Sequence, residues 1–464
     1  MDDPSKLPAP IRAIASLRLT VTLFGLGIFL TLAGTLAQRE AGIWTVLDGY
    51  FRTLYTMIPL RIFFPSSMKV VGAFPFPGGF AIGGLLFFNL LTAHAIRFKI
   101  IAAGRSKVIG LVVTALGATL LTLVVLGFFT QEISATENAA FWRVLWRLVH
   151  GGLAAGVLLV GFHFLFGRQG GMVLLHVGVI IMLVSEFMTA MVAQEGQMRI
   201  QEGGHSNYVT DLRSSELVFI RDVGDEEEEI ISVPRSLLKE GASLSDENLP
   251  CTVEVVQFHV NSSLVRTVDP EAPKENLATH GLGLRAIAQA RKEVSGVDPN
   301  QRVDTPSAYV KLTSKSGDDL GTYLCSTVIA DEFSEFVEID GVTYDMRLRL
   351  KRVYKPYEIY LMDFRHDKYI GTDTPSNYSS EIRLVQADRN IDRSGIKIWM
   401  NNPLRYGGET FYQASFIGST ITELQVVKNQ GWMGPYVSCM VVFMGMAYHF
   451  LRSLSKFMRR RLKS

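Results

Sequence analysis

Five of the nine histidines in this sequence lie in apolar segments, and four of the five are near segment ends that fall on the same predicted side of the membrane. These four are His94, His163, His176 and His449. At about 1.5 Å per residue, all four fall within roughly one or two helical turns of the same membrane interface. Neutral imidazole is the usual axial ligand of haem iron, so these four residues are candidate cofactor-binding residues. A single histidine near an interface is, however, more often an anchor or a packing residue.

Two other polar residues lie inside apolar segments. Glu186 is near the middle of the run 171–193, where a charge is costly unless it faces the interior of the bundle or a partner. Three roles remain open for it: a proton or quinone-site group, a partner for an arginine of a companion subunit, or a neutral acid in a polar seam, which is the commonest case. Asn89 is expected to make a hydrogen bond between helices.

Six apolar segments are long enough to cross a bilayer, which takes about 20 residues. They lie at about 16–37, 77–97, 109–130, 144–166, 171–193 and 434–452. The first segment ends without a small-residue cleavage pattern, and we expect it to be a retained anchor. Basic residues alternate to one side, which predicts that both termini are cytoplasmic and that residues 194–431 are extracytoplasmic. Arg143 and Arg147 are exceptions, and we interpret them as snorkelling anchors beside Trp142 and Trp146.

Residues 194–431 have the alternation and the Val, Ile, Thr and Tyr content of β-strands, with one short helix expected at about 281–294. The predicted fold is a membrane α-helical bundle of about six helices, with a large mainly-β extracytoplasmic domain inserted before the last helix. Three domains follow: 1–193 in the membrane, 194–431 outside, and 432–464 as a terminal span with a basic cytoplasmic tail.

The composition excludes several classes of function. A formal net charge of +2, with scattered basic residues, gives no indication of a nucleic-acid partner. No hydrolytic triad, paired carboxylates, P-loop or dinucleotide motif is present, so no catalytic residue is assigned. The three cysteines form no CxxC or CxxCH motif. Cys251 and Cys325 are equally compatible with one disulfide and with two buried thiols.

Several segments resemble the ResB-like family of cytochrome c biogenesis proteins (system II, ResB/CcsB type). In the spans these are the GTLAQ ending of the first helix, FPFPGGFAIGGLLFFNLLTAHAIRFK and HVGVIIMLVSEFMTAMVAQEGQMRIQEG. In the outer region they are GTDTPSNYSSE and NNPLRYGGETFYQ. Family members commonly have three spans before the outer domain, whereas this sequence has five, with an extra hairpin at about 109–168.

The resemblance implies a subunit of a cytochrome c synthetase that exports haem and presents apocytochrome c for covalent haem attachment. It implies haem b as the transported molecule and a ResC/CcsA-like membrane partner that carries a tryptophan-rich haem motif. WRVLW at 142–146 does not match that motif. A thioredoxin-like thiol reductant is a further partner. His176 matches the family's candidate haem-iron ligand, and His94 is the next candidate.

The chain would then be a non-catalytic or accessory subunit of a haem lyase in the bacterial inner membrane. Two alternatives remain open. One is a b-type cytochrome subunit in quinone electron transfer, which would use His150, His163, His176 and Glu186. The other is a non-enzymatic membrane scaffold with a β-rich outer domain.

Overall fold

The computed structural model describes residues 8–65, 67–128, 139–224, 227–269, 273, 275–295, 303–330, 333–369, 371, 375–429 and 431–462. Its helices comprise two short ones, α1 (Ala9–Ile14) and α3 (Ile43–Val46), and six long ones. The long helices are α2 (Leu17–Ala37), α4 (Gly79–Arg97), α5 (Gly104–Val125), α6 (Ala139–Phe166), α7 (Gly170–Val192) and α8 (Gly434–Arg461).

The described residues contain five stretches that are long and apolar enough to cross a membrane. One of them, Val144–Val192, comprises most of α6 and all of α7, which only the 3₁₀ turn Gly167–Gln169 separates. A long helix that is apolar on every side has no polar face to expose to water. The lengths and compositions of these stretches therefore identify a membrane protein.

Helices α5, α6, α7 and α8 form one packed group, and glycines set how closely their backbones approach. A Cβ atom on Gly117 of α5 would lie 2.7 Å from the backbone nitrogen of Leu158 on α6. A Cβ atom on Gly178 of α7 would lie 2.6 Å from the Val442 side chain on α8. Small residues at such contacts are how membrane helices gain van der Waals packing.

Helices α2 and α4 form a second group with a hairpin of β1 (Tyr55–Pro59) and β2 (Ala73–Pro77). The predicted hydrogen bond of Asn89 between helices is confirmed. The hydroxyl of Thr20 on α2 donates to Asn89 Oδ1 on α4 over 2.7 Å.

Three antiparallel sheets make up the β-rich part. The largest has ten strands in the order β15-β14-β13-β4-β3-β18-β17-β16, with β12 beside β13 and β5 beside β4. Its strands are β3 (Gln194–Gln201), β4 (His205–Gly224), β5 (Glu227–Pro234), β12 (Glu335–Ile339), β13 (Val342–Lys368), β14 (Pro375–Gln386), β15 (Ile391–Trp399), β16 (Leu404–Tyr406), β17 (Glu409–Ile417) and β18 (Ile421–Lys428).

A four-stranded sheet, ordered β11-β10-β7-β6, packs against β4, β5, β12 and β13 of the large sheet around one core. A two-stranded sheet pairs β8 with β9. These strands are β6 (Ser243–Leu244), β7 (Thr252–His259), β8 (Ser262–Arg266), β9 (Ala286–Ala290), β10 (Ser307–Thr313) and β11 (Asp319–Ser326). The predicted fold class, a set of long apolar helices with a large mainly-β domain, is confirmed.

The helix predicted at about 281–294 is wrong. The chain forms a 3₁₀ turn at Gly281–Leu284 and then strand β9, which pairs with β8 in the register Ala286↔Arg266 to Ala290↔Ser262. Gly281 has φ +65°, which a continuous helix does not allow. Pairing with a strand distant in sequence overrides the local helical propensity of alanine.

The connections between helices and sheet are direct. Strand β3 starts two residues after α7 ends, and α8 starts six residues after β18 ends. Strands β3 and β18 are neighbours, with Gln194 opposite Lys428. The two helices that pack against each other therefore continue into two paired strands, which fixes the sheet above α7 and α8. The helix ends remote from the sheet are called distal below.

Candidate functional site

The structure brings two of the four candidate histidines together at the distal ends of α4 and α7. The ring centroids of His94 and His176 lie 5.7 Å apart, and the planes are inclined at 84°. Phe98 lies beside both, at 4.6 Å from the His94 ring and 5.6 Å from the His176 ring. The Nδ1 atoms of both histidines are buried and have no hydrogen-bond partner among the described residues.

The way in which the helices end and pack determines where these rings lie. His94 is in the last turn of α4, and Phe98 immediately follows that helix with an extended backbone. The Phe98 side chain packs on the core of the α5–α8 group and so draws this end of α4 towards α7. At the opposite end, Phe80 of α4 contacts Phe187 of α7 at 5.5 Å. Helices α4 and α7 thus contact each other through rings at both ends.

The sequence analysis missed Phe98 as a part of this site. Its signal was present, because a residue four positions after another lies on the same side of a helix. The α4 helix ends one residue before Phe98, but the spacing still places the two rings side by side.

His163 and His449 are not joined to this pair by any ring contact of the described residues. His163 of α6 is exposed, and its Nδ1 lies 2.8 Å from the hydroxyl oxygen of Tyr448 on α8. Arg452 donates to the same hydroxyl over 2.6 Å. His449 contacts the ring of the neighbouring Phe450 at 5.9 Å. Within the described residues the four histidines thus form one pair and two separate positions.

Glu186 is not in a polar seam between helices. Its side chain is exposed on α7, and no hydrogen bond or ion pair of the described residues involves it. His150, the other polar group considered for electron transfer, places Nδ1 2.7 Å from the carbonyl oxygen of Trp146 on its own helix.

The interpretation of Arg147 as a snorkelling anchor is wrong. Only 7% of this residue is exposed, and its guanidinium lies over the Trp432 ring at 4.4 Å from the centroid. Arg405 of β16 also lies over Trp432, at 3.5 Å. The indole of Trp432, just before α8, is therefore shared by a helix and a strand, an arrangement that cation–π attraction stabilises. The side chain of Arg143 lies outside the described residues.

A cavity of about 380 Å³ lies between the segment after α2 and the β-rich domain. Two arginines that line it stack on aromatic rings: Arg213 on Trp44 at 4.3 Å and Arg235 on Phe258 at 3.8 Å. Burial lowers the pKa of Arg235. The volume of the cavity and its mixed polar and apolar lining are those of sites that hold small molecules or segments of chain.

The cysteines do not form a disulfide. Cys251 and Cys325 are both free and buried in the core of the β-rich domain. Burial raises the pKa of Cys251 to about 12, and it also raises the pKa of Cys325. A thiol that does not ionise is a poor nucleophile and a poor metal ligand.

The donor set of the His94–His176 pair suits a haem iron. Imidazole nitrogen is a haem ligand, and both Nδ1 atoms lack the hydrogen bond that a buried polar atom normally has. The adjacent Phe98 gives the site an apolar wall. Among the described residues, no group of three or more His, Cys, Asp or Glu could hold a free metal ion.

Comparison with known proteins gives two matches. Residues 320–431, which run from β11 past β18, match the model of the ResB-like family. Over 370 residues the chain is 21% identical to Protein NrfI of Wolinella succinogenes, an alignment that covers 78% of this chain and 36% of that protein. The chain thus corresponds to little more than a third of the length of this relative. The predicted family resemblance is confirmed.

Proposed function

We propose that this ResB-like protein exports haem across the bacterial inner membrane and presents apocytochrome c for covalent haem attachment. It would do so as one subunit of a system II cytochrome c synthetase, together with a ResC/CcsA-like partner. Both termini would be cytoplasmic and residues 194–431 extracytoplasmic. Haem b is then the cargo, and His176 and His94 hold its iron during transit.

One observation carries this proposal: two imidazole Nδ1 atoms are buried, unpaired and on facing helices. A buried polar atom without a partner costs about 1–3 kcal/mol. An unpaired buried nitrogen is retained in evolution where it binds a ligand, and haem iron binds imidazole nitrogen.

The β-rich domain would position apocytochrome c. The cavity between Trp44 and Phe258 is at the membrane side of this domain, where the segment after α2 meets it. A polypeptide held there would lie at the sheet side of the helices, where haem released from the distal His94–His176 pair would arrive. Positioning of this kind can contribute several kcal/mol to a bimolecular reaction, so the subunit needs no catalytic residue of its own.

The alternative of a b-type cytochrome subunit relies on His150 and His163. Each of these residues already makes a hydrogen bond through Nδ1, to the Trp146 carbonyl and to the Tyr448 hydroxyl respectively. No ring contact of the described residues joins His150 to His163, whereas the rings of His94 and His176 lie 5.7 Å apart.

The test is the visible absorption spectrum of the full-length protein purified with its partner. We expect His176→Ala and His94→Ala to lose most of the haem band, while His163→Ala and His449→Ala retain it as matched controls. Added imidazole should restore the band in the two affected variants, because it replaces the missing ligand without refolding the protein. Unchanged haem content in His176→Ala and His94→Ala would overturn the proposal.

A further inference from the structure

We propose that the face of α7 carrying Glu186 binds a membrane helix of a second protein, and that this helix presents a lysine or arginine at the depth of Glu186. The inference concerns an interaction surface. It does not rest on the proposed function, since it follows from the position of one carboxylate in the structure.

The neighbours of Glu186 along the helix define this face. Ser185 points at α8, where a Cβ atom on Gly434 would lie 2.0 Å from its hydroxyl oxygen. Phe187 points at α4, where it contacts Phe80. Successive residues of a helix are about 100° apart, so Glu186 points away from both α4 and α8.

The rest of this face is apolar and uncovered. Residues seven and fourteen positions before Glu186 lie on the same side of the helix, and they are Val179 and Met172. Met172 is exposed and Val179 is partly exposed. His176 lies at the border of this face, on the side that meets α4. The α7 surface between α4 and α8 is thus an apolar strip with one carboxylate.

The depth of Glu186 makes a partner necessary. It lies 16 residues after the start of α7 and 6 before its end, or about 24 Å and 9 Å along the axis. A charged side chain in the apolar part of a bilayer is costly unless it faces a partner of opposite charge or a polar interior. No group of the described residues pairs with Glu186, and we assign the compensating donor to another molecule.

Charge complementarity favours a different protein over a second copy of this chain. Among the described residues, the basic group at a comparable depth is Arg147, 19 residues or about 28 Å from the distal end of α6. Arg147 is buried against Trp432 and cannot reach the surface of a neighbouring molecule. A cation opposite Glu186 therefore belongs to a helix of another sequence.

The experiment is site-specific photocrosslinking of the full-length protein in its native membrane, with the crosslinked peptide sequenced. A photoreactive residue at Val179 should crosslink to one helix that carries Lys or Arg at the matching depth. The same residue at Ile28, on the exposed side of α2 at about the same depth, is the control and should not capture that helix. The haem-site variant His176→Ala should keep the crosslink, which separates this inference from the proposed function.

Two substitutions then test the charge. Glu186→Leu should reduce the Val179 crosslink at least tenfold, although leucine suits a membrane better than glutamate and leaves the fold intact. The two charges can then be exchanged, with Glu186→Lys in this protein and Lys or Arg→Glu in the partner helix. This exchange should restore the Val179 crosslink. Crosslinks only to lipid, only to a second copy of this chain, or to a helix without Lys or Arg would overturn the proposal. So would a Val179 crosslink that Glu186→Leu leaves unchanged.

Discussion

The imidazole rings of His94 and His176 face each other at 5.7 Å although they belong to helices of two different packing groups. Helix α4 packs with α2, and α7 packs with α8. The two groups meet at this pair and at Phe80–Phe187. A ligand that both rings hold would therefore also hold the two helix groups together.

The two histidines should act as one binding site. We expect His94→Ala and His176→Ala each to lose most of the bound haem, and the double variant to lose hardly more than either, because groups that share one ligand are strongly coupled. Haem per protein, measured by absorption at equal protein concentration, reports this. Two losses that multiply in the double variant would indicate two independent sites instead.

The close approach of α7 and α8 should depend on Gly178. Its substitution by alanine places a methyl group 2.6 Å from the Val442 side chain and 2.9 Å from the Val442 backbone nitrogen, so one helix must shift. Overpacking typically costs about 1–3 kcal/mol. The thermal unfolding midpoint in detergent should fall for Gly178→Ala. The midpoint should stay the same or rise for the control Gly25→Ala, because a Cβ atom on Gly25 meets no atom within 4 Å.

Stability should depend on pH through Glu335. Burial raises the pKa of this carboxyl above its ordinary value, although one oxygen accepts a hydrogen bond from the Leu282 backbone nitrogen. The folded state thus binds the proton more tightly than the unfolded state. The contribution is fully present below the ordinary pKa of about 4.5 and is lost as pH rises through the higher folded value.

Glu335→Gln tests this dependence, because an amide accepts the same hydrogen bond and does not ionise. The thermal midpoint of the wild type should fall relative to that of Glu335→Gln between pH 4.5 and pH 7.5. Equal pH slopes for the two proteins would show that Glu335 contributes nothing.

The thiols of the β-rich domain should resist modification. Cys251 and Cys325 are buried with raised pKa values, so a maleimide reagent at pH 7 should label neither in the folded protein and both after denaturation. Cys439, which is exposed on α8, is the internal comparison. Mass spectrometry without reductant should show no disulfide. A crosslinked Cys251–Cys325 peptide would contradict the structure.

Periodicity in the sequence was enough to predict the fold class, because uninterrupted apolar runs and strict alternation are local patterns. It could not identify β9, since the run from Ala286 to Ala290 becomes a strand only through pairing with β8. The position of each histidine along its apolar run was likewise visible in the local sequence. Which histidines meet depends on how α4 crosses α7, and one sequence contains no measure of that crossing.

The role of Arg147 shows the same limit. A basic residue at a helix end beside tryptophans predicts an anchor, but its ring partner is Trp432, which the sequence separates from it by the whole β-rich domain. The sequence singled out Glu186 because it lies inside an apolar run. Its exposed position on α7 appears only once the neighbours of Ser185 and Phe187 are known.

The indole of Trp432 links motions that would otherwise be independent. Since Arg147 of α6 and Arg405 of β16 both rest on it, a tilt of the large sheet must displace the start of α8 and the sheet-side end of α6 together. Loss of this one indole would remove the aromatic contact of both arginines at once.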